Sequence, residues 1–168
     1  MKNFLRSTIS RIFRFILAIA IIYVCMVFYL MLSERRIAFP KAIKHKEARE
    51  AVSDTTIVKK VSCKISDDII LEGFFAKKEN LPTILYFPDS DEDAAQFIAE
   101  TQSSKNIGRL AFNYRGSGEN KGTPSEENFM TDALQIANCA KTLSPTLIYA
   151  GRGIGAIAAT KVRENNPL

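Results

Sequence analysis

The sequence predicts an α/β protein: a mostly parallel sheet with helices on both faces, its first strands paired as a hairpin, preceded by one transmembrane helix. Three observations carry this. A charge-free apolar segment of 18 residues runs from Phe15 to Leu32. From residue 83 onward, short apolar runs alternate with helical patterns, the order that builds a parallel sheet covered on both sides. Ahead of them, two strand-like runs are separated by Ser66-Asp67-Asp68, a polar turn suited to an antiparallel hairpin.

The apolar segment spans roughly 27 Å as a helix, close to the thickness of a bilayer's hydrocarbon core. A cleaved signal peptide usually has a shorter apolar stretch ending in small residues, whereas this one ends Tyr29-Leu30-Met31-Leu32. An uncleaved single-pass anchor is therefore expected, ahead of a signal peptide or a buried core helix. Residues 1–50 carry ten Lys/Arg against three Glu, a net of +7, while the whole chain is +5, so residues 51–168 net −2. Basic charge that brackets an apolar segment fits a membrane surface and argues against a nucleic-acid partner. Lys2, Arg6, Arg11 and Arg14 precede the segment and Arg35, Arg36, Lys41, Lys44, Lys46 and Arg49 follow it. Both ends are basic, so the positive-inside rule favours neither orientation.

The expected organisation is a basic segment over 1–14, the transmembrane helix over 15–32, a juxtamembrane linker over 33–54 with a short helix at Lys41–Ala51, and a body over 55–168. In the body, Thr56–Ile65 and Ile69–Phe75 form the hairpin, and Thr83–Phe87 is a strand buried on both faces. Asp89 or Ser90 caps a helix over Asp91–Ser103, with Phe97, Ile98 and Thr101 inward and the acids at the positive end of its dipole. Arg109–Asn113 is the next strand. Thr123-Pro124-Ser125-Glu126 reads as a capping box with Thr123 as N-cap and Pro124 at the first helical position. Phe129, Ala133, Ile136, Ala137 and Ala140 then line one helical face. Thr146–Tyr149 is the last strand and Ile154–Glu164 the last helix.

Cysteine and histidine offer little chemistry. Cys25 lies in the apolar segment, and Cys63 and Cys139 are expected as buried small apolar side chains rather than as a disulfide or metal ligands. Without a C-x-x-C or His-rich cluster, no metal is expected. The single histidine, His45, reads as a solvated residue of the basic linker. The acidic run Asp89, Asp91, Glu92 and Asp93 reads as a solvated helix start.

The chemistry-bearing pattern is Gly151-Arg152-Gly153-Ile154-Gly155, a glycine turn between the last strand and the last helix. A serine hydrolase presents its nucleophile from G-x-S-x-G at such a turn; here the frame glycines are present and the central residue is Gly153, which has no hydroxyl. The left-handed backbone of that position costs a non-glycine residue on the order of 1–3 kcal/mol, so glycine keeps the turn while removing the chemistry. Gly151-x-Gly153-x-x-Ala156 also satisfies a dinucleotide-binding pattern. That pattern normally sits on the first strand of its unit with an acid about 20 residues on, which disfavours it here. Ser117, in Arg115-Gly116-Ser117-Gly118, has no histidine partner and reads as a loop residue.

Residues 55–168 resemble the α/β-hydrolase superfamily, most closely its membrane-anchored, serine-aminopeptidase-like abhydrolase branch. The resemblance rests on Ser66-Asp67-Asp68 with Leu71-Glu72-Gly73, on Leu85-Tyr86-Phe87-Pro88-Asp89-Ser90, on the loop from Asn113 through Tyr114-Arg115-Gly116 to Glu126, and on Gly151–Gly155, in that order. It implies the N-terminal part of that fold, a nucleophile elbow at Gly151–Gly155, and an oxyanion hole made by the backbone N–H groups of Ser90 and Ile154. It also implies that Pro88-Asp89 replaces the family's His-Gly, and that the family's acid and histidine lie beyond this chain, leaving the last strand as an exposed edge. The expectation is a membrane-anchored, truncated, catalytically inactive pseudoenzyme related to ester, thioester or amide hydrolases, with no cofactor. Its partners would be the membrane and a protein covering the sheet edge. The alternatives are one part of a split or frameshifted serine hydrolase, or a dinucleotide- or phosphate-binding module at Gly151–Gly155.

Overall fold

The computed structural model describes residues 2–38, 45–104 and 106–165. It divides into two compact units, residues 1–38 and 39–168. The first is a single helix, α1, Lys2–Ala38. Its stretch Arg11–Glu34 is long and apolar enough to cross a bilayer, and no other helix among the described residues is. Phe15, Ile22, Phe28 and Leu32 are all exposed; a helix apolar on every face is suited to a lipid or protein-core environment rather than to water.

The second unit opens with α2 (Lys46–Ser53), followed by the strands β1 (Val58–Lys64), β2 (Ile70–Ala76) and β3 (Thr83–Phe87), then α3 (Ala94–Glu100), β4 (Gly108–Phe112), α4 (Glu126–Leu143), β5 (Leu147–Gly151) and α5 (Ile154–Asn165). The five strands form one sheet in the order β1-β2-β4-β3-β5. The expected hairpin is antiparallel, with Val61 opposite Gly73, and β2 also meets β4 antiparallel. The remaining pairs, β3 with β4 and β3 with β5, are parallel.

Strand alternation sorts the core into two layers. Phe74, Ala76 and Ala111 face α2 and α3, packing with Val52, Ala94, Ala95 and Ile98. Leu71, Phe75, Leu85, Leu110 and Phe112 face α4 and α5, packing with Phe129, Ala133, Ile136, Ala137, Ala140, Ala158 and Val162. The five-residue face expected for α4 is buried in full.

Several local expectations are corrected. The cap of α3 is Asp93, whose side chain accepts from the N–H of Ala95, so neither Asp89 nor Ser90 caps it and the helix starts later than Asp91. Inside it, Ile98 is buried beside Ala94 and Ala95, Phe97 packs against the same layer as expected and stacks on Tyr86 at a centroid distance of 4.0 Å, and Thr101 is the C-cap. The cap of α4 is Ser125, accepting from the N–H of Asn128 at 3.2 Å. Extended backbone at Ser125 (φ −152°, ψ 163°) suits an N-cap, which moves the start beyond Thr123-Pro124. The short helix of the linker spans Lys46–Ser53 and is seated on the body, with Val52 buried. Residues 41–44 of its expected range lie outside the described residues.

The largest correction concerns cysteine. Cys63 on β1 and Cys139 on α4 form a disulfide, with Cα atoms 5.9 Å apart and a sequence separation of 76. They are the two cysteines of the body that could pair, and in sequence two isolated cysteines read more readily as small apolar core residues. The fold lays α4 across the hairpin's face, and both sulfurs arrive in the same apolar layer.

Candidate functional site

The chain leaves β3 through α3 to reach β4 on one side, then returns through α4 to β5 on the other side of β3. The carboxyl ends of β3 and β5 therefore flank the point where the winding reverses, the place where open α/β sheets form their binding crevice. Two segments meet there: Phe87-Pro88-Asp89-Ser90 after β3, and Gly151–Gly155 after β5.

The elbow is built by close backbone approach. The N–H of Arg152 donates to the carbonyl of Phe87 at 3.2 Å, and those of Gly155 and Ala156 donate to Arg152 and Gly153 at 2.8 and 3.2 Å. A Cβ at Gly151 would overlap the carbonyl of Gly155, and one at Gly155 would overlap that of Phe87. The frame glycines are thus needed for space. Gly153, with φ +53°, is needed for conformation.

The crevice already holds an anion, and it belongs to the chain. Asp89 places Oδ1 where it accepts from the N–H of Ser90 at 2.7 Å and from the N–H of Ile154 at 3.3 Å. These are the two donors expected to form the oxyanion hole. A Cβ at Gly153 would overlap the Asp89 carboxylate, touching both oxygens and Cγ. One side chain therefore occupies both the position of a nucleophile's side chain and the hole that would hold its oxyanion.

Neighbouring groups hold Asp89 in place. Its N–H donates to Oε2 of Glu92 at 3.1 Å, and Glu92 also accepts from the Tyr86 hydroxyl at 2.9 Å. Burial and then the bond to Glu92 raise the Tyr86 phenol well above its usual range. The Tyr114 hydroxyl donates to the carbonyl of Pro88 at 2.9 Å, and burial raises that phenol as well. The acidic run is thus dispersed: Asp89 turns to the elbow, Glu92 to Tyr86, and Asp93 to the interior.

Asp93 is fully buried and belongs to a network that sequence reading missed. Arg49 of α2 donates to it through Nε at 2.6 Å and Nη2 at 3.3 Å, and Asn113 donates through Nδ2 at 3.1 Å. Arg49 also lies 3.5 Å from Glu72. Nothing in the spacing of residues 49, 72, 93 and 113 announces this, and the charged run around Arg49 reads in sequence only as a short helix of the linker. Burial disfavours the charge on Asp93, but the bonds from Arg49, Ala95 and Asn113 outweigh it and hold the carboxyl below the usual aspartate range. A carboxyl depressed in the folded state stabilises above its unfolded pKa of about 3.9 and loses that contribution as pH falls through the lower folded value. Thermal unfolding should therefore show stability dropping below about pH 4, with a shallower drop in Asp93→Asn.

The loop carrying Arg115 is anchored in the same manner, by Nε of Arg115 donating to Asp132 on α4 at 2.7 Å. Ser117 is buried in that loop's turn, its N–H bonded to the carbonyl of Tyr114 at 3.0 Å. His45 is exposed at the start of α2, with no side-chain cap bond. Ser117 is thus held within its own turn, and His45 lies at the solvent-facing start of α2.

No protein-family model matches the chain, and no curated protein does. Solved structures do. An α/β hydrolase from Vibrio vulnificus is 22% identical with a TM-score of 0.62, covering 80% of this chain and 50% of its own. An esterase from Pyrococcus furiosus is 16% identical with a TM-score of 0.55, covering 73% and 48%. An α/β serine hydrolase homologue from Coxiella burnetii is 15% identical with a TM-score of 0.51, covering 65% and 58%. The chain spans about half the length of the structures it matches. Sheet order, elbow and these likenesses together show that the body of this protein has the α/β-hydrolase fold.

Proposed function

We propose that this chain is a non-catalytic α/β-hydrolase-fold protein held on a membrane by the helix around Phe15–Leu32. The observation that carries the reading is the Asp89 carboxylate bonded to the N–H groups of Ser90 and Ile154. Acyl transfer by a serine enzyme needs a hydroxyl at the elbow and empty donors waiting for a developing oxyanion. Here the elbow has no side chain and the donors are satisfied by a resident negative charge. The same occupancy weighs against a phosphate or dinucleotide at this turn, because the N–H groups at the start of α5 already serve an anion that would repel another.

The test uses a fluorophosphonate serine probe and a simple aryl ester on wild type, Gly153→Ser, and Asp89→Gly with Gly153→Ser. None should label or turn over above background. Gly153→Ser alone should also be destabilised by about 1–3 kcal/mol, since φ +53° strains a non-glycine residue and its Cβ meets Asp89. Adding Asp89→Gly should recover part of that loss, a coupling readable by a double-mutant cycle. Wild-type labelling that disappears in Ser117→Ala would overturn the reading. Membrane attachment is tested separately: the full chain should resist extraction by alkaline carbonate at its uncleaved mass.

A second reading, one part of a two-part hydrolase, is favoured by one observation. Among the described residues, β5 pairs only with β3, and its outer side opens on a groove of about 980 Å³ lined by Thr146, Leu147, Ile148, Tyr149, Arg163 and Glu164. An unpaired edge of this kind accepts a further strand. Under this reading a complementary polypeptide binds wild type and fails to bind Ile148→Pro, which spoils the edge strand. Because Gly153 supplies no nucleophile, binding without serine-probe labelling is the expected outcome even for the assembled pair.

A further inference from the structure

We propose that Cys63 and Cys139 are joined in the cell, so that the body lies on the oxidising side of the membrane and the segment Lys2–Arg14 on the reducing side. This rests on the membrane anchor proposed above. Charge counting favours neither side, because both ends of the apolar segment are basic. Of the basic residues that follow it, Arg49 is matched by Asp93 and Glu72, and Lys46 lies 3.7 Å from Glu50. The disulfide is an independent indicator of side, since such bonds persist in secreted, lumenal and periplasmic settings and are rare where thiols are kept reduced.

Three features mark the pair as structural. The Cα separation of 5.9 Å falls within the range a disulfide spans without moving the backbone. Cys63 has no exposed surface and the partly buried Cys139 packs against the same apolar cluster, so the bond is embedded in the core layer on its Cys63 side. The bond also joins the edge strand β1 to α4, two elements that otherwise share little contact, across 76 residues of chain.

Formation is a two-electron oxidation by a disulfide donor of that compartment. The thiolate of one cysteine attacks a donor sulfur, the donor's S–S bond breaks, and one donor thiolate leaves. The second cysteine's thiolate then attacks the mixed disulfide, forming Sγ–Sγ and releasing the donor as a dithiol. The two protons lost by the cysteines pass through solvent to the two donor thiolates, so the donor ends as the dithiol and the exchange balances. Because Cys63 is buried in the folded body, this exchange belongs to the period before folding is complete.

The test uses the full chain with its anchor, expressed in cells whose thiols are frozen by acid and blocked with N-ethylmaleimide. Samples with and without subsequent reduction are tagged with a maleimide polymer, counting tags by gel shift in a Cys25→Ala background. Two additional tags after reduction are expected; equal tagging in both samples overturns the proposal. A membrane-impermeant amine reagent applied to sealed membranes whose oxidising face is outward should label the body through exposed lysines such as Lys59, Lys60 and Lys64, and labelling of the body only from the opposite face overturns the proposed side. Carbonate extraction separates the two readings. A chain that is extractable yet oxidised supports the compartment and removes the anchor, whereas one that is integral with free thiols keeps the anchor and removes this inference.

Discussion

Arg49→Ala is expected to destabilise the body by about 3–5 kcal/mol, the cost of leaving a buried charge without its partner. Asp93 is completely enclosed, and the Arg49 side chain is 18% exposed, so solvent screening softens the loss little. Removing the guanidinium also leaves Glu72, itself nearly buried, with Lys60 as its remaining cation. Asn113 and the Ala95 N–H still reach Asp93, which places the effect toward the lower end of that range. Against a total stability of about 5–15 kcal/mol for a domain, this is a large share. Urea unfolding of the body should show the midpoint fall. The combination Arg49→Met with Asp93→Asn should cost distinctly less than Arg49→Ala, because no charge is then left buried alone. Equal losses for the single and double variants would show that packing of α2, and not the ion pair, seats this segment.

The disulfide is the second large contributor. Replacing Cys63 and Cys139 together by alanine should lower stability by about 4 kcal/mol, from the chain entropy released when a 76-residue crosslink is removed from the unfolded state. The change is read in urea unfolding, with a steeper dependence on denaturant because the uncrosslinked chain exposes more surface. Reductant should bring wild type to the level of the double variant and leave the double variant unchanged. A wild-type protein indifferent to reductant would show that the two sulfurs are not bonded.

Much of this architecture was legible in the order of residues. Strands β2 to β5 follow short apolar runs bounded by turn residues, and α4 announced its buried face by the spacing of Phe129, Ala133, Ile136, Ala137 and Ala140. These are local periodicities, and short-range sterics and water exclusion enforce them wherever they occur. Helix caps were less legible. Asp89, Ser90, Asp91 and Asp93 are all acceptable caps by type, and the selection of Asp93 came from Arg49 and Asn113, distant in sequence. The same holds for the cysteines, which are ordinary core residues until α4 crosses β1.

The amino-acid order by itself determined that the elbow has no nucleophile, because Gly153 carries no side chain and nothing in the fold can supply one from that position. It also determined the apolar segment and the hydrolase-like succession of strands and turns. What only the tertiary structure decided is what fills the elbow. Asp89 looked like the beginning of a solvated helix, yet the reversal of winding brings the end of β3 against the end of β5, where two backbone N–H groups face a space without a side chain. A carboxylate two residues past the strand end satisfies them both. Hydrogen-bond donors converge on a point through the path of the whole chain, and the group that meets them there is chosen by proximity in space.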